Sequence, residues 1–360
     1  MTEVSAEVPG LDVAGATAWL ADAHPDLADG PLRATVIVGG KSNLTYRLDG
    51  AVVPLVLRRP PLGHVLPTAH DMRREHRVIA ALHASPVPVP EAVDIVDDTD
   101  VQRVTGTPFF VMRFVEGRVL AHRAQNARYT PAALRAISIE LAEVLAALHS
   151  VEPDRIGLAD FGRHDGFLER QVRTWRRQLD ASRSRDVPAL DLLQERLAER
   201  LPETSRTTLV HGDYRLDNAI IGAGDDPRVA AVLDWEMSTI GDPLVDLGIF
   251  GMYWNIADIA DIAHDPRVMQ AAVDSAAGYP GFDELVDAYA ARAGIAVPDL
   301  SWYRAFAAYK LAVIAEGIHL RYRSGQTVGE GFDHIGDLVE PLSADGLTHL
   351  GRGIHLAQGL

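Results

Sequence analysis

The stretch Leu209-Val210-His211-Gly212-Asp213-Tyr214-Arg215-Leu216-Asp217-Asn218 decides how the chain is read. It has the form His-Gly-Asp-x-x-x-x-Asn: an apolar lead-in, a tight turn at Gly212, an acid at Asp213 and an amide five residues later. Sixteen residues beyond Asn218 comes a second acid, Asp234, between Val232-Leu233 and Trp235-Glu236. Residues 219–221 and 229–233 are short apolar runs, and the segment between them is dense in Gly, Asp and Pro. That pattern predicts a β-hairpin. Asn218 and Asp234 then stand at the bases of its two arms, where opposed residues lie roughly 5 Å apart. An amide oxygen and a carboxylate so placed suit a hard cation such as Mg2+, which takes oxygen ligands and keeps several waters. Asp213, on the loop just before, is positioned to accept a proton.

Upstream, residues 11–27 carry a short helical pattern, and residues 33–38, 44–48 and 52–58 read as three strands. Gly39-Gly40-Lys41-Ser42-Asn43 joins the first two strands. Paired glycines allow positive φ and a close backbone approach, so this tip can fold over phosphates, with Lys41 or Ser42 adding contacts. The third strand ends in Arg58-Arg59, and a strand alternates faces, so only one of the two points inward. Residues 69–82 read as a helix in which Met72, Glu75, Ile79 and Leu82 share a face. Glu75 is thus an acid on an apolar stripe and needs a partner, because burying it unpaired is costly. Residues 108–115 form an apolar strand. Thr130-Pro131 opens a long helix, with a capping threonine and a proline in the first turn. Helical patterns recur at residues 167–179, 190–201, 283–294, 300–323 and 335–342. His149, at the end of the long helix, reads as structural, and Asp242 as a cap for a helix that begins near Pro243. Lys310 and Glu316 lie on one apolar helix, placed either to pair or to reach the active region.

The catalytic-loop motif, its spacing to Asp234 and the flanking strands resemble the core of the aminoglycoside phosphotransferase-like kinases. Three further segments are similar to one branch of that family, the kinase-like domain of acyl-CoA dehydrogenase family members 10 and 11. They begin at Gly39, at Leu57 and at Glu316. The resemblance implies an α+β, protein-kinase-like two-lobe fold. Residues 1–115 would be a small N-terminal nucleotide-binding lobe with an antiparallel sheet, and residues 116–360 a mainly helical catalytic and substrate-binding lobe. It implies an ATP- and Mg2+-dependent phosphotransferase acting on a hydroxyl of a small molecule, such as a hydroxyacyl-CoA. By the kinase template, Asp213 orients and deprotonates the hydroxyl, and Asn218 and Asp234 hold the metal, with Glu236 a secondary contact. Arg58 stands where the family pattern usually has lysine; arginine can fork onto two phosphate oxygens, and Glu75 would position it. The backbone around Arg113, Phe114 and Val115 would meet the adenine edge. Asp242 and Asp246 would clamp the catalytic loop.

Composition narrows the alternatives. A net charge of −16 argues against a general nucleic-acid binder. The chain has no cysteine, hence neither disulfides nor thiolate metal sites. No apolar run is long enough to span a bilayer and no signal-peptide pattern opens the chain, so a cytoplasmic location is expected. Two other readings compete: an aminoglycoside or other antibiotic kinase, and a kinase-fold nucleotide sensor that has lost transfer. A metallohydrolase built on His211 and Asp213 lacks a second histidine at ligand spacing. The oligomeric state has no signature in the sequence.

Overall fold

A computed structural model describes residues 8–37, 43–62, 71–204, 206–224, 227–259, 271–326 and 332–357. Lys41 and Ser42, expected at the phosphate-binding tip, lie outside the described residues. The chain forms two compact units, Met1–Glu116 with Ala230–Glu236, and Gly117–Val229 with Met237–Leu360. Residues 230–236, expected with the second lobe, pack with the first unit, where the Val232 N–H donates to the Pro88 carbonyl at 2.8 Å.

The first unit opens with α1 (Val13–Ala23), whose N-cap Asp12 accepts the Gly15 N–H at 2.9 Å. Then come β1 (Ala28–Val36), β2 (Leu44–Ala51), β3 (Leu55–Arg59), α2 (Met72–Leu82), β4 (Ala92–Val96) and β5 (Phe109–Arg113). The strands form one antiparallel sheet in the order β1-β2-β3-β5-β4. β3 starts later than the sequence suggested, because Val52 bends to donate to the Leu27 carbonyl and Pro54 brings no N–H to the ladder. Leu55, Leu57, Phe109 and Val111 join Leu20 and Tyr46 in one buried cluster. The pleat therefore assigns the two arginines of β3 to opposite faces. Arg59 is buried toward that cluster, where its Nη1 donates to the carbonyls of Gly10 (2.6 Å) and Thr105 (3.1 Å). Arg58 lies on the other face, with Glu75 of α2.

The second unit contains β6 (Arg118–Val119), α3 (Pro131–Ser150), α4 (Phe167–Ser182), α5 (Pro188–Glu199), β7 (Thr208–Val210), β8 (Ala219–Ile221), the start of β9 (Val229–Val232), β10 (Thr239–Gly241), α6 (Leu244–Trp254), α7 (Phe282–Ala293), α8 (Ser301–Arg323) and α9 (Val339–Ala357). β7 pairs antiparallel with β10, and β6 with β8. The Gly222 N–H donates to the Arg228 carbonyl at 2.8 Å, closing the turn that the sequence predicts after β8. Thr130 caps α3 by accepting the Ala133 N–H at 3.1 Å, ahead of Pro131. The last helix is longer than expected: a 3-10 turn at Ile335–Leu338 leads into α9, which continues to Ala357. Its Gly346 acts as a packing position rather than a terminator, since a Cβ there would stand 2.6 Å from Leu193 of α5. No helix among the described residues is long and apolar enough to cross a membrane.

Candidate functional site

In the first unit, four charged side chains and an amide gather on the α2 face of the sheet. Arg58 Nε donates to Glu75 Oε2 at 3.0 Å, and Arg58 Nη2 to Asp234 Oδ1 at 2.6 Å. Strand alternation turns Arg58 to this face, and the helical stripe of α2 brings Glu75 to it, 1% exposed. Asp234 follows β9 with φ of +65°, a left-handed conformation that aspartate tolerates better than most residues and that turns its carboxylate out of the strand direction. Asn43, 4% exposed at the start of β2, donates Nδ2 to Glu236 Oε2 at 3.1 Å. Three carboxylates thus share one guanidinium. Burial works to lower the Arg58 pKa, but Glu75, Asp234 and Glu236 outweigh it and hold the guanidinium above its ordinary value. Burial pushes the Glu75 carboxyl up to about 7 against the pull of Arg58, and the charges of Asp234 and Glu236 push the same way.

The expected hinge ends this unit. The Arg113 N–H donates to the Glu91 carbonyl at 2.8 Å and the Phe114 N–H to the Pro54 carbonyl at 2.9 Å. Both N–H groups are therefore used within the protein, and Arg47 stacks 4.2 Å above the Phe114 ring.

In the second unit, the loop after β7 carries Asp213. Gly212 sits at φ of +84°, and a Cβ there would meet the Met237 carbonyl oxygen at 2.6 Å, so the turn requires glycine. Asn218 Nδ2 donates to the Asp213 carbonyl (2.9 Å) and to Asp213 Oδ2 (3.1 Å). Arg215 Nε lies 3.2 Å from the same Oδ2, its Nη1 is 2.9 Å from Asp217 Oδ2, and its guanidinium rests 4.8 Å over the Tyr253 ring. Both neighbours thus lie against the same oxygen of Asp213, Oδ2. The use of Asn218 Nδ2 in these bonds leaves Oδ1 as the acceptor atom of that amide.

The loop is anchored from beneath. Asp246 of α6 is fully buried and accepts the N–H groups of His211 (2.7 Å) and Gly212 (2.8 Å). His149 Nε2 lies 3.1 Å from Asp246, and its Nδ1 lies 2.9 Å from the Tyr289 hydroxyl. Burial works to raise the Asp246 carboxyl, but His149 and the backbone donors outweigh it and hold it below the ordinary carboxylate value. Asp242 accepts the Leu244 N–H at 3.0 Å at the start of α6 and the Tyr303 hydroxyl at 3.0 Å. His149, Asp242 and Asp246 thus act as scaffold.

Lys310 and Glu316 do not pair. Glu316 accepts Ser184 Oγ (2.7 Å) and Arg185 Nε (3.1 Å), whereas Lys310 Nζ donates to the Gly212 carbonyl at 2.5 Å. Arg215 and the contact between Asn43 and Glu236 had no sequence signal. Arg215 lies inside the motif at a position that the pattern leaves open. Asn43 and Glu236 are 193 residues apart.

Among the described residues, no group of three or more His, Asp or Glu side chains is arranged to hold a metal ion. The donor types that the sequence singles out, an amide oxygen at Asn218 and a carboxylate at Asp234, are of the kind a hard ion takes. The profile of the phosphotransferase enzyme family matches residues 33–306. Human acyl-CoA dehydrogenase family member 11 is 36% identical over 311 residues, which is 86% of this chain and 39% of that protein. The chain therefore spans about two fifths of that relative's length. A crystal structure from Ralstonia eutropha JMP134, carrying the name of an aminoglycoside phosphotransferase, is similar with a TM-score of 0.80 and 32% identity over 95% of this chain and 99% of that one. Aminoglycoside phosphotransferase APH(4)-Ia in ternary complex with AMP-PNP and hygromycin B shares the fold, with a TM-score of 0.59 and 16% identity over 92% of this chain and 98% of that one.

Proposed function

Because the chain belongs to the phosphotransferase enzyme family, we propose that it transfers the γ-phosphoryl group of ATP, with Mg2+, to a hydroxyl of a small molecule such as a hydroxyacyl-CoA. The observation that carries this reading is the hold on Asp213. Asn218 and Arg215 both engage Oδ2, while Asp246 fixes the backbone on which Asp213 stands. Asp213 Oδ1 accepts the hydroxyl proton as the substrate oxygen attacks γ-phosphorus. The new P–O bond forms as the bond to the β-phosphate oxygen breaks, giving a phosphate ester and ADP.

Arg58, set by Glu75, is assigned to the nucleotide phosphates. Lys41 and Ser42 are assigned to the same phosphates from the glycine-rich segment. Arg113, Phe114 and Val115 are assigned to the adenine edge through their carbonyls and the N–H of Val115. Asn218 Oδ1 and Asp234 are the assigned Mg2+ ligands. Bound Mg2+ would neutralise charge on the transferring phosphates. Support for a nucleotide comes from the AMP-PNP complex of APH(4)-Ia, and support for an acyl-CoA acceptor from the likeness to acyl-CoA dehydrogenase family member 11.

Transfer from γ-labelled ATP, offered hydroxyacyl-CoAs and aminoglycosides as separate acceptor pools, tests the proposal. Label is expected in the hydroxyacyl pool and should be lost with Asp213→Asn. Label in the aminoglycoside pool alone would replace the acceptor, and undiminished transfer by Asp213→Asn would remove Asp213 from the mechanism.

A further inference from the structure

We propose that Lys310 is an acceptor-binding residue: its ammonium receives an acyl oxygen, carboxylate or thioester carbonyl, a few bonds from the hydroxyl that Asp213 activates. This rests on the phosphotransferase reading above and deepens it by naming a residue that binds the acceptor. Only two of the chain's 34 lysines and arginines are lysine. One of those two stands on α8 against the catalytic loop. Its Nζ donates to the carbonyl of Gly212, the residue before Asp213, and lies 5.4 Å from the centre of the Trp175 ring on α4.

Lys310 is 9% exposed. An ammonium has three N–H donors, and the Gly212 carbonyl takes one of them. The nearby carboxylates have other partners. Asp246 takes two backbone N–H groups and lies against His149, and Asp213 Oδ2 takes the Asn218 amide and lies 3.2 Å from Arg215 Nε. A buried cation with one hydrogen bond and one aromatic face is under-satisfied, and burial holds its pKa below the ordinary lysine value despite Asp213 and Asp246.

The remaining donors suit an oxygen acceptor, and the bond to Gly212, the residue before Asp213, sets them beside the loop that carries Asp213. A hydroxyacyl compound supplies such an oxygen and a hydroxyl on one short chain. A polyamine acceptor would bring like charge to Lys310 and to Arg215, which also flanks Asp213. A compact ammonium, unlike a planar guanidinium, can rotate its remaining donors toward such an oxygen while keeping the Gly212 bond.

The test is equilibrium binding, without nucleotide, of a ladder of short hydroxyacyl-CoAs with the hydroxyl on successive carbons, the matching free hydroxy acids, and hygromycin B. The proteins are the wild type, Lys310→Met and Lys310→Gln. Glutamine keeps a donor for the Gly212 carbonyl and removes the charge, so it separates ligand binding from support of the loop if the methionine variant fails to fold. At least one acyl compound should bind the wild type, with affinity at least tenfold weaker in Lys310→Gln. Hygromycin B should bind no more weakly to that variant than to the wild type. Retention by thioester and free acid alike would point to the acyl oxygen itself; retention by the thioester alone would point to its carbonyl. Equal acyl affinity in wild type and Lys310→Gln, or no acyl binding at all, overturns the proposal. Phosphoryl transfer on the same panel keeps the two claims apart. Lys310-dependent binding without transfer sinks the phosphotransferase reading alone, and transfer with Lys310-independent acceptor KM sinks the Lys310 assignment alone.

Discussion

Arg58 Nη2 lies 2.6 Å from Asp234 Oδ1, so the residue assigned to the phosphates and a residue assigned to the metal hold each other directly. The adjacent Arg59 has no share in this contact, because the pleat of β3 sends it to the carbonyls of Gly10 and Thr105. The two arginines should therefore fail in different ways. Arg58→Lys, which cannot span Glu75 and Asp234 together, should raise the KM for ATP on the order of tenfold, a loss of about 1.4 kcal/mol of binding. Arg59→Met should lower stability by roughly 1–3 kcal/mol by leaving buried carbonyls unpaired, with the KM for ATP of the folded protein little changed. Steady-state kinetics beside denaturant melts separate the two; a KM effect at Arg59 equal to that at Arg58 would contradict the face assignment.

Glu75 gives the protein a pH signature. Its folded-state pKa of about 7 stands above the ordinary 4.5, so the folded protein binds this proton more tightly than the unfolded chain does. Stability from this group is greatest below about pH 4.5 and falls as pH rises toward 7, by up to about 3 kcal/mol. Glu75→Gln should flatten that part of the stability–pH curve. An unchanged slope between the two proteins, measured by denaturant melts across the window, would show that Glu75 ionises normally.

Gly212→Ala should be damaging out of proportion to one methyl group. It would impose a left-handed conformation on alanine, at about 1–3 kcal/mol, and drive a Cβ against the Met237 carbonyl. Both the melting temperature and turnover should fall, with turnover falling further because Asp213 is the next residue. A variant with wild-type turnover would mean that the loop tolerates displacement.

Asp246→Asn keeps the shape of the side chain but presents one amino group where the carboxylate accepted only donors. With the His211 and Gly212 N–H groups and His149 all directed at it, a loss of roughly 2–4 kcal/mol is expected. Reduced activity should accompany it even under conditions where circular dichroism reports a folded protein. Asp246→Asn with native stability would argue that the anchor is dispensable.

Much of this arrangement was legible in the sequence, where local periodicity carried the information. The 3.6-residue stripe of α2 singled out Glu75, and strand alternation foretold that Arg58 and Arg59 would part. The His-Gly-Asp-x-x-x-x-Asn spacing brought Asp213 and Asn218 into hydrogen-bond contact. What stayed hidden depends on tertiary packing. No periodicity links Lys310 to a carbonyl 98 residues away, or Asn43 to Glu236. The packing of residues 230–236 with the first unit follows from a backbone bond to Pro88 and the pull of Arg58, neither of which has a local signature. The length of α9 was missed because glycine reads as a helix stop, whereas Gly346 lets the helix lie close against Leu193.

The chain of contacts from Tyr289 through His149 and Asp246 to His211 joins α7, α3, α6 and the loop that carries Asp213 through side chains with little or no exposure to solvent. The loop should accordingly have no melting transition of its own, because it borrows its rigidity from the helical interior. Heat inactivation and loss of tertiary structure should then follow one curve, and a substitution deep in that interior, remote from every substrate atom, can silence the enzyme as completely as one at Asp213.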